Sequence, residues 1–221
     1  MKTIVKQLLL GTGRRGRRIP FGLYKGLVLS IDPTVETSFY LGLYEVETAP
    51  WLRQAVLQAQ SLVDVGTGAG ELSMWGLAHA NIRRVLAYDA SPERWHIFRE
   101  NQQLNGFEAD ERLTAVEGRF LGRQQQGEAE EILGCLPEPI LFKIDVEGGE
   151  EAILERMRSF LATKRCLLLV ETHSKMLDES CRRVLEAAGY EVRSLTPAWW
   201  RCFWPENRPL PFNQWLVAGK K

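Results

Sequence analysis

An apolar stretch that runs directly into three alternate glycines constrains this chain more than any other feature. Residues 61–65 read Ser-Leu-Val-Asp-Val, and Gly66, Gly68 and Gly70 follow at alternate positions. Apolar and β-branched residues of this kind are typical of a buried parallel strand. The glycines permit a sharp turn close to a ligand, and Glu71 to Ala80 is predicted to be a helix whose first N–H groups face that ligand. The pattern predicts a strand, loop and helix that bind a nucleotide.

The spacing of the glycines separates two kinds of nucleotide site. Dinucleotide-binding proteins use G-x-G-x-x-G, whereas this chain has G-x-G-x-G with Asp64 two residues ahead of it. This spacing resembles motif I of the class I S-adenosylmethionine-dependent methyltransferases, in which the loop wraps the amino-acid end of the cofactor. Taken alone, the motif also fits a glycine-rich turn with no ligand.

Length and composition favour one α/β domain with a modest appendage. The chain has 221 residues, a formal net charge of zero and 45% hydrophobic residues. These values argue against disorder and against a general attraction to nucleic acid or anionic membranes. No apolar run approaches the length of a membrane span, and we predict a cytoplasmic protein. The cysteines form no C-x-x-C pairs and are predicted to be reduced thiols; they are Cys135, Cys166, Cys181 and Cys202.

Residues 1–48 are predicted to be an N-terminal extension of a main domain over residues 49–221. The basic, glycine-rich segment Gly11 to Arg18 fits a solvated loop, or alternatively a loop that binds a phosphate or an acidic surface. Leu27 to Ile31 is a predicted strand. Glu45 lies among apolar neighbours, and it is either a buried carboxylate that serves an ammonium group or an exposed residue.

Acidic residues end the second and third predicted strands of the main domain. Arg84 to Asp89 is apolar apart from its ends, and Asp89 lies roughly twenty residues beyond the glycines. A carboxylate at that offset can accept hydrogen bonds from both hydroxyls of a ribose, although Asp89 could also be an ordinary turn acid. Leu113 to Gly118 is the third strand, and its end, which carries Glu117, is predicted to face the adenine.

Two further predicted strands, one that begins at Pro139 and runs into the acids Asp145 and Glu147 and one over residues 166–173, end in titratable residues. Ligands bind at the carboxyl ends of strands in open α/β sheets, so adjacent strands would bring these side chains together. The residues predicted to converge there are Asp145, Glu147, Glu171 and His173.

The catalytic candidates in this group are Asp145, Glu147 and His173. A histidine has an ordinary pKa suited to a general base near neutral pH, although His173 also fits a strand-end histidine that bonds the backbone. Two carboxylates and a histidine could hold a divalent cation, but the spacing does not demand one and no metal is assigned. Lys143 is predicted to be structural and to neutralise Asp145.

The last third of the chain predicts a helix over residues 177–188 and strands over 190–195 and 214–218. The connection between these strands contains the aromatic segment Trp199 to Pro205. Aromatic residues in a long connection form either a small satellite core or a lid over a substrate.

The order of elements resembles the class I methyltransferase fold. That resemblance implies a three-layer, Rossmann-like α/β fold whose seven-stranded sheet is mostly parallel, with the last strand antiparallel. Four segments more narrowly resemble the FkbM family of methyltransferases: Gly42 to Glu45, Val63 to Gly66, Asn101 to Gly106 and, most specifically, Lys143 to Glu150. The resemblance covers about residues 40–173. The chain departs from the family pattern at Thr67, Ala69 and Asp89.

The resemblance implies that S-adenosylmethionine is the cofactor and that a small hydroxylated compound or sugar is O-methylated. By motif position, the implied cofactor-binding residues are Glu45, Asp64, Gly66, Gly68, Gly70, Asp89 and Glu117. A catalytically silent Rossmann-like module is the alternative function. The glycine spacing disfavours a nicotinamide-dependent oxidoreductase, and the charge balance disfavours a nucleic-acid acceptor. Nothing in the sequence indicates an oligomeric state.

Overall fold

The computed structural model describes residues 11–121, 131–202 and 212–220. The chain begins with two antiparallel strands, β1 (Arg15–Arg18) and β2 (Val28–Ile31). Two helices follow, α1 (Thr37–Tyr40) and α2 (Ala49–Gln58). The basic segment was predicted to be a loop, but Arg15–Arg18 forms a strand because pairing with β2 satisfies its backbone hydrogen bonds.

Seven strands form the main sheet in the order β5-β4-β3-β6-β7-β9-β8. All neighbouring pairs are parallel except those made by β9, which runs antiparallel to both β7 and β8. This confirms the predicted Rossmann-like sheet with an antiparallel last strand. The strands are β3 (Ser61–Val65), β4 (Arg84–Asp89), β5 (Leu113–Glu117), β6 (Ile140–Ile144), β7 (Cys166–Thr172), β8 (Glu191–Leu195) and β9 (Gln214–Gly219).

Helices connect the strands and close both faces of the sheet. They are α3 (Glu71–Leu77), α4 (Pro92–Leu104), α5 (Glu150–Arg156), α6 (Arg158–Thr163), α7 (Lys175–Ala187) and a 3₁₀ helix (Trp199–Cys202). The helix after the glycines ends at Leu77 and not at Ala80. After the sixth strand the chain forms two helices, α5 and α6, that meet at Met157.

The core lies in two layers, one on each face of the sheet. Successive residues of a strand point to opposite faces, so Phe142 and Leu168 pack in one layer while Leu141 and Leu169 pack in the other. The first layer also contains Leu154, Leu161 and Leu185 from α5, α6 and α7. The second layer contains Leu52, Leu72 and Phe98 from α2, α3 and α4, together with Ile19, Leu29 and Ile31 of the extension.

Asn101 on α4 joins the extension to the glycine loop. Its Oδ1 accepts from the backbone N–H of Ser30 at 2.6 Å, and its Nδ2 donates to the carbonyl of Ala69 at 2.8 Å. The side chain is 1% exposed. Because Ala69 lies between the second and third glycines, this one amide fixes the loop against β2.

Replacing Asn101 by leucine is expected to destabilise the protein by about 2–4 kcal/mol. The substitution leaves the buried Ser30 N–H and Ala69 C=O without partners, and each unsatisfied group costs about 1–3 kcal/mol. Urea unfolding measures the change. The matched control is Gln103→Leu, on the exposed face of the same helix, where we expect a change within about 0.5 kcal/mol. Equal losses in the two variants would contradict the role given to Asn101.

No helix in residues 11–121, 131–202 and 212–220 is long and apolar enough to cross a membrane.

Candidate active site

A cleft of about 740 Å³ opens at the carboxyl ends of β3, β4 and β6. The strand order reverses between β3 and β6, and open α/β sheets bind ligands at such a switch point. The loops after these three strands supply nearly half of the lining residues, and the N-terminal extension, the strand ends and the helices α3 and α4 supply the others. The lining includes Asp64, Gly66, Gly68, Asp89, Asp145 and Glu147.

Gly66 lies where two loops meet most closely. Its φ is +78°, and a Cβ added at this position would lie 1.7 Å from the carbonyl oxygen of Asp145. The N–H groups of Gly66 and Thr67 both donate to the carbonyl of Tyr88, at 2.8 and 2.9 Å. The first glycine is therefore required by packing between the ends of β3, β4 and β6.

Gly68 faces open space. Its φ is +59°, and no atom lies within 4 Å of the position that a Cβ would occupy. Gly70 is different, because a Cβ there would lie 2.5 Å from the ring of Phe98 on α4. Of the three glycines, Gly68 is thus the one that leaves room for a ligand, while the other two permit close packing.

Asp64 stabilises the glycine loop through hydrogen bonds on its buried side. It is 1% exposed, and its Oδ2 accepts from the hydroxyls of Thr67 and Ser73, both at 2.7 Å. Burial raises the pKa of Asp64, while Lys143 and the two hydroxyl donors oppose that rise. Asp64 lines the cleft and is also part of the loop's internal support.

Asp89 joins two backbone segments at the rim of the cleft. Its Oδ2 accepts from the N–H of Gly68 and its Oδ1 from the N–H of Ser91, both at 2.8 Å. These bonds fix the orientation of a carboxylate that also lines the cleft. Glu117 pairs with Asp89 in the sheet register, but its side chain is exposed and it is not among the described residues of the lining.

Lys143 and Glu45 form a buried charge pair behind the cleft. The ammonium of Lys143 lies 3.2 Å from Oδ2 of Asp145 and 3.7 Å from Oε2 of Glu45. Glu45 is 4% exposed, so the structure places it as a buried carboxylate beside an ammonium group of the protein itself. Burial alone would lower the pKa of Lys143, but Glu45, Asp145 and Glu171 outweigh burial and hold it well above its ordinary value.

His173 lies among three carboxylates. Its Nδ1 is 2.8 Å from Oε1 of Glu150, and its Nε2 is 3.5 Å from Oδ1 of Asp145 and 3.7 Å from Oε1 of Glu171. The hydrogen bond to Glu150 raises the pKa of His173; partial burial lowers it, and the other carboxylates raise it further. A histidine with a raised pKa is less available as a base at neutral pH, and its role as a base stays a prediction.

The structure brings together three of the four residues that were predicted to converge. Ligand atoms of Asp145, Glu171 and His173 lie within 4.8 Å of one another, whereas Glu147 is exposed, has a φ of +52° and lines the cleft outside this cluster. Glu147 is therefore part of the cleft wall and not of the cluster around His173.

Glu150 and Glu71 are site residues that sequence reasoning did not single out. Glu150 is fully buried, and both its carboxylate oxygens accept from the N–H of Gly148 while Oε1 contacts His173. Glu71 lines the cleft, and burial raises its pKa to about 7. Both lie at the first position of a helix, where acidic residues are common for reasons unrelated to a site, so no separate pattern marks them as site residues.

The aromatic segment near the end of the chain is anchored beside this site. Arg201 donates to both carboxylate oxygens of Glu47, from Nε at 2.8 Å and from Nη2 at 2.7 Å. It also donates to the carbonyl of Leu43 and lies over the ring of Trp200. Trp199 is 81% exposed. Phe203, Trp204 and Pro205 lie outside the described residues, and the satellite core or lid stays a prediction.

This chain shares its fold with known proteins, and part of its sequence matches one known protein. No family model matches the chain. A stretch of 94 residues is 31% identical to the ribosomal protein L11 methyltransferase of Symbiobacterium thermophilum, which is 42% of this chain and 29% of that protein. The chain therefore spans less than a third of the length of this relative.

Solved structures with the same fold include methyltransferases of different kinds. The precorrin-6y C5,15-methyltransferase of Geobacter metallireducens matches with a TM-score of 0.53 and 20% identity, over 80% of this chain and 87% of that one. A proposed tRNA (m1A22) methyltransferase of Streptococcus pneumoniae, solved in complex with S-adenosylmethionine, gives 0.50 and 16%, over 77% and 72% of the two chains. At these identities the matches show the fold.

Proposed function

We propose that this chain is an S-adenosylmethionine-dependent methyltransferase. The observation that carries the proposal is the glycine loop, in which the open Gly68 faces the cleft and Asp89 holds the N–H of Gly68. A carboxylate fixed in this way can accept from the two hydroxyls of a ribose, as it does in other nucleotide sites at the end of a second parallel strand. The fold shared with known methyltransferases supports the choice of cofactor.

The proposed cofactor site uses the residues implied by the motif. Gly66, Gly68 and Gly70 shape the loop, and Asp89 is the proposed ribose ligand. The remaining assignments are Asp64, Glu45 and Glu117. The ammonium of Lys143 already lies beside Glu45, and Glu117 is exposed. The assignments of Glu45 and Glu117 to the cofactor site therefore have less structural support than that of Asp89.

The proposed chemistry is methyl transfer to a hydroxyl oxygen. S-adenosylmethionine supplies a methyl group whose S–C bond breaks as the new O–C bond forms, while the hydroxyl loses its proton. Asp145, Glu147 and His173 are the proposed catalytic residues. Of these, Glu147 lines the cleft outside the cluster around His173, so we assign it the first contact with the departing proton.

The proposed acceptor is a small hydroxylated compound or sugar, as the resemblance to the FkbM family implies. The titratable groups beside the cleft support an acceptor that must lose a proton. The named methyltransferases of this fold act on precorrin, on tRNA or on a ribosomal protein, and the fold alone therefore does not select the acceptor.

We also propose the division at residue 48 and a cytoplasmic location, where the free thiols of Cys135, Cys166 and Cys181 would stay reduced.

Calorimetric titration with S-adenosylmethionine tests the proposal, with NAD as the matched control. We expect one binding site per chain for S-adenosylmethionine and none for NAD, because the glycine spacing lacks the dinucleotide pattern. Release of S-adenosylhomocysteine in the presence of hydroxylated acceptors then separates an enzyme from a silent module. Binding of NAD in preference to S-adenosylmethionine would reject the proposed cofactor.

A further inference from the structure

Three ligand atoms of a kind that binds metals point toward one another behind the cleft. They are Oδ1 of Asp145, Oε1 of Glu171 and Nε2 of His173, and all lie within 4.8 Å of one another. The imidazole nitrogen is 3.5 Å from the first oxygen and 3.7 Å from the second. Asp145 follows β6, while Glu171 and His173 lie at the end of the adjacent strand β7, so the pairing of two rigid strands sets these distances.

Each of the three side chains has a second polar atom, and each of these second atoms bonds to a different residue outside the cluster. Oδ2 of Asp145 accepts from Lys143 at 3.2 Å, Oε2 of Glu171 accepts from the indole N–H of Trp215 at 3.1 Å, and Nδ1 of His173 is 2.8 Å from Glu150. The three atoms named above lie on the sides of these groups that face one another. Metal-binding histidines commonly donate their second N–H to a carboxylate, and metal-binding carboxylates are themselves hydrogen bonded. This outer shell has that arrangement.

The spacing of the three atoms fits a small divalent cation. Metal–nitrogen and metal–oxygen bonds of about 2.0–2.2 Å place neighbouring ligand atoms roughly 3.0–3.5 Å apart in octahedral or tetrahedral geometry. The two distances from the imidazole nitrogen, 3.5 and 3.7 Å, lie close to those values. One imidazole and two carboxylates suit Mn²⁺, Zn²⁺ or Fe²⁺ better than Ca²⁺, which prefers oxygen ligands alone.

We propose that Asp145, Glu171 and His173 bind a divalent transition-metal cation. Three protein ligands leave coordination positions open, and Asp145 places the cation beside the cleft. The cation's role rests on the proposed function: it would bind the acceptor through an oxygen and lower the pKa of a hydroxyl. The favoured acceptors are therefore hydroxylated compounds whose oxygens can ligate a metal.

Titration of chelator-treated protein with Mn²⁺, followed by electron paramagnetic resonance of the free ion, tests the site. We expect one cation per chain. Glu171→Gln is expected to weaken binding at least tenfold, because the variant presents an amide in place of a carboxylate. Glu150→Gln, which alters only the outer shell, is expected to weaken binding about tenfold. Glu155→Gln is the control, since this carboxylate is exposed on α5 and pairs with Arg158.

Circular dichroism of each variant shows whether it folds, and a folded Glu150→Gln variant keeps the test valid if Glu171→Gln unfolds. Absence of stoichiometric Mn²⁺ and Zn²⁺ binding by the wild-type protein would overturn the inference, and so would unchanged affinity in both site variants.

S-adenosylmethionine is titrated into the same samples. Metal binding without cofactor binding would reject the proposed function and leave the cation site, and the reverse result would reject the cation site alone.

Discussion

Replacing Gly66 by alanine is expected to cost about 4 kcal/mol or more in the free energy of unfolding. The new Cβ would lie 1.7 Å from the carbonyl oxygen of Asp145, and the obstacle is backbone that cannot rotate away. The loop after β3 or the end of β6 would have to shift, and losses of this size are exceptional for a single substitution. Urea or guanidinium unfolding measures the loss directly.

Gly68→Ala is the matched control for this prediction. Both glycines have a positive φ, +78° and +59°, so both substitutions carry the conformational cost of an L-residue in that region. That cost is about 1–2 kcal/mol, and no steric cost is added at Gly68 because its Cβ position is open. Similar unfolding energies for the two variants would contradict the close approach of the β3 and β6 loops. A folded Gly68→Ala protein that binds S-adenosylmethionine poorly would support a ligand in the open space.

Replacing Asp89 by alanine is expected to lower the affinity for S-adenosylmethionine at least 100-fold. The variant loses the proposed bonds to the ribose and also the two bonds that hold Gly68 and Ser91. Hydrogen bonds to charged groups contribute about 1.5–3 kcal/mol each, and a 100-fold loss corresponds to about 2.7 kcal/mol. Isothermal titration calorimetry of the wild-type and variant proteins gives the ratio.

Two further variants separate the ribose role of Asp89 from its support of the loop. Asp89→Asn keeps the size of the side chain but replaces one acceptor by an N–H₂ group, which cannot accept from a backbone N–H; we expect an affinity between those of wild type and Asp89→Ala. Glu100→Ala removes an exposed carboxylate from the neighbouring helix, and we expect less than a twofold change. Equal affinity in the wild-type, Asp89→Ala and Glu100→Ala proteins would reject Asp89 as a cofactor ligand.

Local sequence patterns predicted the central sheet because each strand is marked by its own residues. Short apolar runs ending in glycines or acids identified β3, β4 and β6, and helical spacing identified α7. Parallel strands buried on both faces need continuous apolar sequence, which is a strong local pattern. The antiparallel β9 was placed through the resemblance to a known fold, since strand order is not encoded in any single segment.

Elements whose structure depends on distant partners were harder to predict. Arg15–Arg18 is a basic segment of low strand propensity, and it forms a strand only through its pairing with β2. The break at Met157 occurs within an uninterrupted helical pattern of apolar residues, so no local residue marks it.

The residues of the candidate site were also predicted only in part. Asp145 and His173 were found because they end adjacent strands, and a strand end fixes where a side chain lies. The role of Glu150 depends on its contact with His173, 23 residues later, and that of Glu47 depends on Arg201, 154 residues later. Pairings at such separations arise from tertiary packing, and spacing in the sequence does not reveal them.

The position of β9 between β7 and β8 has a consequence for synthesis of the chain on the ribosome. β8 is made before β9, yet its pairing in the sheet is with β9. Until residues 214–219 have left the exit tunnel, β7 therefore presents an unpaired edge and β8 has no neighbour in the sheet. Exposed edges of this kind favour aggregation of nascent chains. When β9 joins the sheet, a single strand therefore completes two pairings and closes the exposed edge of β7.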